Sequence, residues 1–154
     1  MKLIEIIDQF HMDTGAPDPM VFSARNRTFI IFFGTITQDS EAPDIETVMI
    51  EFTGCVKSSL GSPNDEALHG HPYYALGLRS YGFYQLENSD LLKQIIEMQS
   101  VHSRFDAEKW TFYKHYIITF HDELFECIAR SFTVSKGNEH YQQMLSIANI
   151  GRYS

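Results

Sequence analysis

Residues 112–132 carry two runs of alternating apolar side chains, FYKHYIITF and LFECIARSF, on either side of His121-Asp122-Glu123. Period-two alternation about a short polar break is the mark of a β-hairpin, because an α-helix cannot keep one face apolar at that spacing. An antiparallel pair of strands follows, with Phe120, Ile118, Tyr116, Phe125, Cys127 and Ala129 on the face that becomes core. If Asp122-Glu123 forms a two-residue turn, His121 faces Leu124, Thr119 faces Glu126, Ile117 faces Ile128 and His115 faces Arg130, all on the opposite side. That side then gathers His115, His121, Glu126 and Arg130 in a half-apolar setting, which suits a general acid/base pair or an anion site. The same residues also fit ordinary cross-strand pairing on a solvated or helix-covered face.

Other segments extend the sheet. Thr28–Phe33 reads TFIIFF with a stop at Gly34, which predicts a buried strand, and Met20-Val21-Phe22 before it predicts a strand joined through a turn at 23–26. Thr47–Phe52 alternates, with Val48, Ile50 and Phe52 on one face. A loop containing Pro43 separates these two strands. Tyr81–Glu87 predicts a further strand, and Leu3–Phe10 is so densely apolar that it predicts a helix or mixed structure.

Helices are signalled by their caps. Ser89 is an N-cap, Asp90 follows it in the first turn, and Leu91, Leu92, Ile95, Ile96 and Met98 form an apolar stripe. Asp106 caps a short turn through Trp110, and Tyr141, Met144, Leu145 and Ala148 lie at helical spacing between Asn138 as cap and Gly151 as stop. Residues 53–80 show no sustained periodicity, apart from one short helix with Ser62 as N-cap, Pro63 at its first position, Asp65 in its first turn and Gly70 at its end. Long connections of this kind are more often functional than short ones, so residues 63–72 are expected to fold over the polar face of the hairpin and bring His71 toward His115 or His121. The fold expected is α+β: a single domain over 1–154, with one antiparallel sheet of five to seven strands and two or three helices on one side.

Charge narrows the partners. The chain carries 12 Lys+Arg against 20 Asp+Glu, a net of −8, and residues 1–70 hold most of it with 11 acids and 4 bases. No basic cluster exceeds the pair Arg25 and Arg27, so nucleic acid is not an expected partner. No run reaches the ~18 apolar residues of a membrane helix, and Glu5 and Asp8 interrupt the N-terminal segment where a secretion signal needs an apolar core. The expectation is a cytoplasmic protein with two free thiols, Cys55 a buried inert one and Cys127 a structural one. Nucleophilic use of Cys55 would need His121 or His71 beside it.

The other candidates are weaker. His69-Gly70-His71 can offer two ligands to a metal if the segment is extended, and the two imidazoles diverge if Gly70 ends a helix; no metal ligand set is assigned. Asp65 and Glu66 either stabilise a helix start or present a carboxylate pair over a cleft. The phosphate-loop, dinucleotide-binding, serine-hydrolase and zincin motifs are absent.

The stretches PNDEALHGHPYYALGL (63–78), YQLENSDLL (84–92) and HYIITFHDELFECIA (115–129) resemble a family of bacterial proteins of unknown function that carry PNDE, GHP, GL and FHDxxFEC blocks in this order. The resemblance spans residues 46–132 and implies no activity, substrate or catalytic residue. Two functions stay in play. One is a binding or accessory module that recognises a small molecule or a protein partner. The other is a small hydrolytic enzyme using His71, His115, His121 and Glu126, with Asp65, Glu66 and Arg130 contacting the ligand and the 53–80 loop closing the site. Convergence of three of the four catalytic candidates in one pocket favours the enzyme; scattered, solvated histidines favour the module. Cofactor and oligomeric state are left open.

Overall fold

The computed structural model describes residues 1–37 and 46–152; the loop expected around Pro43 lies outside them. Ten strands lie among the described residues: β1 (Lys2–Glu5), β2 (Phe10–Met12), β3 (Met20–Ala24), β4 (Arg27–Ile36), β5 (Glu46–Thr53), β6 (Lys57–Gly61), β7 (Phe83–Glu87), β8 (Lys114–Thr119), β9 (Leu124–Ala129) and β10 (Ser131–Lys136). The helices are α1 (Asp90–Gln99), α2 (Ala107–Trp110) and α3 (Asn138–Arg152), with 3-10 turns over Asp65–Gly70 and Tyr74–Leu76. The strands form two antiparallel sheets rather than one. Sheet I has the order β1-β7-β8-β9-β6; sheet II has β10-β5-β4-β2, with β3 also on β4.

The two sheets pack face to face, which is what their side-chain alternation demands. Sheet II contributes Ile30, Phe32, Val48, Ile50 and Phe52, and sheet I contributes Phe83, Tyr116, Ile118, Phe125, Cys127 and Ala129, to one buried cluster. The face assignment read from the hairpin therefore holds, although its pairing differs. His115 faces Ile128, Ile117 faces Glu126 and Thr119 faces Leu124, because the connection runs over residues 120–123, where the Phe120 amide donates to the Glu123 carbonyl at 2.9 Å. A shift of two residues leaves every side chain on its own face.

On its outer side, sheet I carries a second cluster of Leu68, Leu78, Tyr84, Leu86, Ile117 and Leu124, with Leu3, Tyr73 and Tyr74 against it. The two 3-10 turns thus lie over the hairpin's polar face. The helices are not all on one side, since α3 covers the outer face of sheet II, where Tyr141 packs on Phe33 with ring centroids 4.6 Å apart.

Several expectations need correction. Leu3–Phe10 is not helical: β1 pairs with β7 and β2 with β4, and the chain turns between them at Asp8, whose φ is +62°. Its apolar density reflects contact with both clusters, Leu3 in the outer one and Ile6 and Phe10 in the inner one. Residues 53–80 include an unpredicted strand, β6, paired with β9. In the short turn after it, Asn64 rather than Ser62 is the cap, accepting from the Ala67 amide at 3.0 Å, and His71 rather than Gly70 ends it with extended backbone. In α1 only Ile95 is buried, and Met98 is exposed. In α3, the Gly137 carbonyl takes the first helical bond from Tyr141, the Asn138 side chain bonds to Thr47 instead, and the helix runs through Gly151 to Arg152.

The stretch LFECIARSF is also not one strand in one sheet. It bends at Arg130, where the chain passes from β9 in sheet I to β10 in sheet II, and β5 passes to β6 beside it in the opposite sense. Ser131 faces Thr53 in one sheet and Ile128 faces Lys57 in the other, so residues 54–56 on one strand oppose 129–130 on its partner. This is a β-bulge within a ribbon that folds from one sheet into the other. Gly54 sits in it at φ +66°, and a Cβ there would lie 2.7 Å from Cδ of Arg130.

Candidate functional site

The outer face of sheet I positions most of the polar candidates, in two groups. The first is built on His115 of β8. Its side chain is 0% exposed, and both ring nitrogens are bonded: Nδ1 to Ser89 Oγ at 2.7 Å and Nε2 to Glu126 Oε2 at 2.8 Å. The Glu126 carboxylate can only accept, so Nε2–H donates to it, and in the neutral imidazole Nδ1 then accepts the Ser89 hydroxyl, whose oxygen also accepts from the Leu92 amide at 3.1 Å as the cap of α1. The hydrogen bond from His115 holds the Glu126 carboxyl below its usual range, against the opposing effect of burial. Glu126 stays anionic, with its side chain 28% exposed.

His71 reaches this group from the end of its 3-10 turn. Its Nδ1 accepts from the Tyr73 amide at 3.1 Å, and its ring lies 4.9 Å from that of Tyr73, which in turn meets His115 edge-on at 6.1 Å. Burial lowers the His71 pKa, Glu126 opposes that, and His115 adds to it. Lys57 also acts on the Glu126 carboxylate, and Ser59 is its cross-strand partner.

The second group lies in the β8–β9 turn. His121 Nδ1 meets Asp65 Oδ2 at 2.9 Å, and the Tyr81 hydroxyl lies 2.9 Å from Nδ1 and 3.1 Å from the same carboxylate oxygen. The Asp65 amide donates to the His121 carbonyl at 2.9 Å, which pins the 3-10 turn to the hairpin tip. Although burial works the other way, bonds from Tyr81 and His121 hold Asp65 below the ordinary carboxylate value; Tyr81 is raised by burial and by Asp65. The His121 side chain is 41% exposed, with Nε2 3.8 Å from Asp122.

Three of the four catalytic candidates, His71, His115 and Glu126, therefore lie together, and His121 lies apart with Asp65. His115 and Glu126 are bonded to each other, His71 joins them through Tyr73 and through charge, and of the three only Glu126 and His71 reach solvent. Glu66 is exposed on its 3-10 turn. Arg130 does not face His115: the two-residue change of register puts Ile128 there, and the Arg130 guanidinium lies over Phe112 at the sheet-to-sheet bend. His69 is exposed while His71 is half-buried, so the His-x-His pair points two ways. Among the described residues no three His, Cys, Asp or Glu side chains are placed to hold a metal. Neither His71 nor His121 acts on Cys55; its thiol neighbour is Cys127.

Ser89 and Tyr81 belong to these groups without having been singled out for them. Ser89 was legible as a cap but not as the partner of a histidine on a strand far along the chain. Tyr81 holds φ +60°, a conformation that nothing in its local sequence announces. The chain matches no family model, no curated protein and no solved structure.

Proposed function

We propose that this protein is a binding module, and that Glu126 is the group that meets its ligand. The observation that carries this reading is the state of His115: fully buried, with both nitrogens engaged, it has no lone pair or proton to offer a substrate, so the convergence of His71, His115 and Glu126, which by itself would favour an enzyme, supplies no working acid or base from its central member. Its effect is to fix Glu126 in place and keep it ionised. A small polar molecule presenting an amine or guanidinium matches such a carboxylate, with His71, Tyr73 and Ser59 around it. Partner recognition through a basic side chain uses the same chemistry. Among the described residues no helix is long and apolar enough to cross a membrane, and a cytoplasmic setting and the bacterial family resemblance are retained as parts of this proposal.

The test uses arginine amide as a probe in an NMR titration. Shifts centred on Glu126, His71 and Ser59 are expected, and Glu126→Gln should weaken the interaction about ten-fold or more, the scale of one charged hydrogen bond. Equal affinity of the variant would remove Glu126 from the site.

A second reading rests on a different observation, the bonding of His121. With Nδ1 held by Asp65, its Nε2 faces the surface beside Asp122 at 3.8 Å, where a general base would take up a proton. An enzyme of hydrolytic type would then work at the hairpin tip. Turnover of p-nitrophenyl acetate that vanishes in His121→Gln and survives in Glu126→Gln would favour it; no turnover above the rate of free imidazole would exclude it.

A further inference from the structure

The bulge that carries the ribbon from sheet II to sheet I places Cys55 in the same buried cluster as Cys127, and Cys55 also lines a cleft of about 240 Å³. Cys55 is fixed there by its amide, which donates to the Asn26 carbonyl at 2.9 Å, and by the next amide, Val56, which donates to Ile128. Cys127 belongs to the inter-sheet core, directly opposite Ser58. The β3–β4 turn, with Arg25 and Asn26 both at positive φ, forms the opposite lip of the cleft. Arg25, Lys57 and Thr28 contribute to its lining, so the space in front of the sulfur is electropositive and open to small molecules. Thr28, whose hydroxyl bonds to that of Ser23 at 2.8 Å, lines the cleft with Cys55 and helps lower its pKa.

We propose that Cys55 and Cys127 are a reactive dithiol, oxidised by a small hydroperoxide that enters this cleft. In the first step the Cys55 thiolate attacks the outer oxygen of ROOH. An S–O bond forms and the O–O bond breaks. The sulfur loses two electrons to become a sulfenic acid, and the alkoxide leaves as ROH after taking up a proton. In the second step the Cys127 sulfur attacks Sγ of Cys55; the S–S bond forms, the S–O bond breaks, and hydroxide leaves with the Cys127 proton as water. The sum is dithiol plus ROOH giving disulfide, ROH and water. Each part of the division of labour has its own support. Cys55, 8% exposed, lines the cleft, whereas Cys127 is 1% exposed and does not, so Cys55 is the sulfur an oxidant in the cleft meets first. The Cys55 thiol is seated by a bond to the Lys57 carbonyl at 3.4 Å, and chiefly through the neighbouring Cys127 its pKa falls to about 6, while burial raises that of Cys127. The nucleophile is thus ionised at neutral pH, and the resolving thiol keeps the proton that the departing hydroxide needs.

The experiment treats the full reduced chain with hydrogen peroxide under native conditions and follows intact mass and free thiols. A loss of two mass units and of both thiols, with the chain still monomeric on a non-reducing gel, is the expected result. In Cys127→Ser the reaction should stop at a sulfenic acid on Cys55 that dimedone traps, and in Cys55→Ser neither product should form. Iodoacetamide gives a measure that needs no variant: at pH 6.5 Cys55 should be alkylated about ten-fold faster than an unperturbed thiol, its greater ionisation being partly offset by lower nucleophilicity. The proposal is overturned by retention of both thiols at peroxide levels that oxidise a free cysteine peptide, by a disulfide between chains, or by dimedone labelling at Cys127 in place of Cys55.

Discussion

His115 shows how one buried imidazole can hold three elements. Its bonds join β8, β9 and the start of α1: one nitrogen engages the hydroxyl of buried Ser89 and the other the partly exposed Glu126 carboxylate. His115→Leu should therefore destabilise the protein by about 1–3 kcal/mol through the Ser89 and Glu126 groups it deserts; an unchanged urea midpoint would mean that both find other partners. Glu126 gives the pH counterpart. Its folded pKa is depressed below the ordinary 4.5, chiefly by His115, so the stability it contributes is complete above that value and is lost as pH falls through the depressed folded value. Urea midpoints measured from pH 6 down to pH 3 should fall more steeply for the native chain than for Glu126→Gln, and parallel slopes would show that the carboxylate carries no linkage. The residues of this network were legible as a set on one face, because face depends only on period two. Their mutual bonds were not, since these depend on a turn length that His121-Asp122-Glu123 alone leaves undetermined.

At the scale of elements, the caps of α1 and α2 are of different kinds. Ser89 is 2% exposed and serves both α1 and His115, whereas Asp106 accepts from the Glu108 amide at 3.0 Å in an exposed turn. Ser89→Ala should lose a cap of about 1 kcal/mol together with the partner of a buried nitrogen, and Asp106→Ala should lose the cap alone. Equal losses in chemical denaturation would place Ser89's second bond outside the energetics. Gly34 is tested by crowding. A Cβ there would lie 2.4 Å from the His11 carbonyl oxygen, a backbone atom in the strand paired with it, so Gly34→Ala should cost about 1–3 kcal/mol and raise hydrogen exchange along β2 first. Elements with an apolar period, such as β4, β5 and the hairpin, were readable from sequence. The edge strand β6, KSSLG, was not: its polar side chains carry no alternation, and its place is set by the backbone of β9.

In the whole molecule the two sheets share one aromatic centre. The Phe52 ring lies 5.3 Å from Tyr116, 5.5 Å from Phe125 and 6.3 Å from Phe83, so a sheet II side chain is surrounded by sheet I. Phe52→Ala should cost about 3–5 kcal/mol, a large share of the ~5–15 kcal/mol of a typical domain, and the loss should appear in near-ultraviolet circular dichroism as well as in the melting temperature. The division into two sheets was hidden because a strand that bends keeps its alternation through the bend, and IARSF reads as a continuation of FECIA.

The bent ribbon also orders events in time. Its strands lie at residues 46–61 and 124–136, with all of β7, α1, α2 and β8 between them. A chain emerging from the ribosome can pair β3 with β4 and β4 with β5 early, but the seam between the sheets waits until β9 and β10 have been synthesised. Until then the apolar face of β4 and β5 has no opposing layer, and the net negative charge of residues 1–70 opposes its contact with other copies. Refolding dominated by such distant pairings belongs in the range of about milliseconds to seconds.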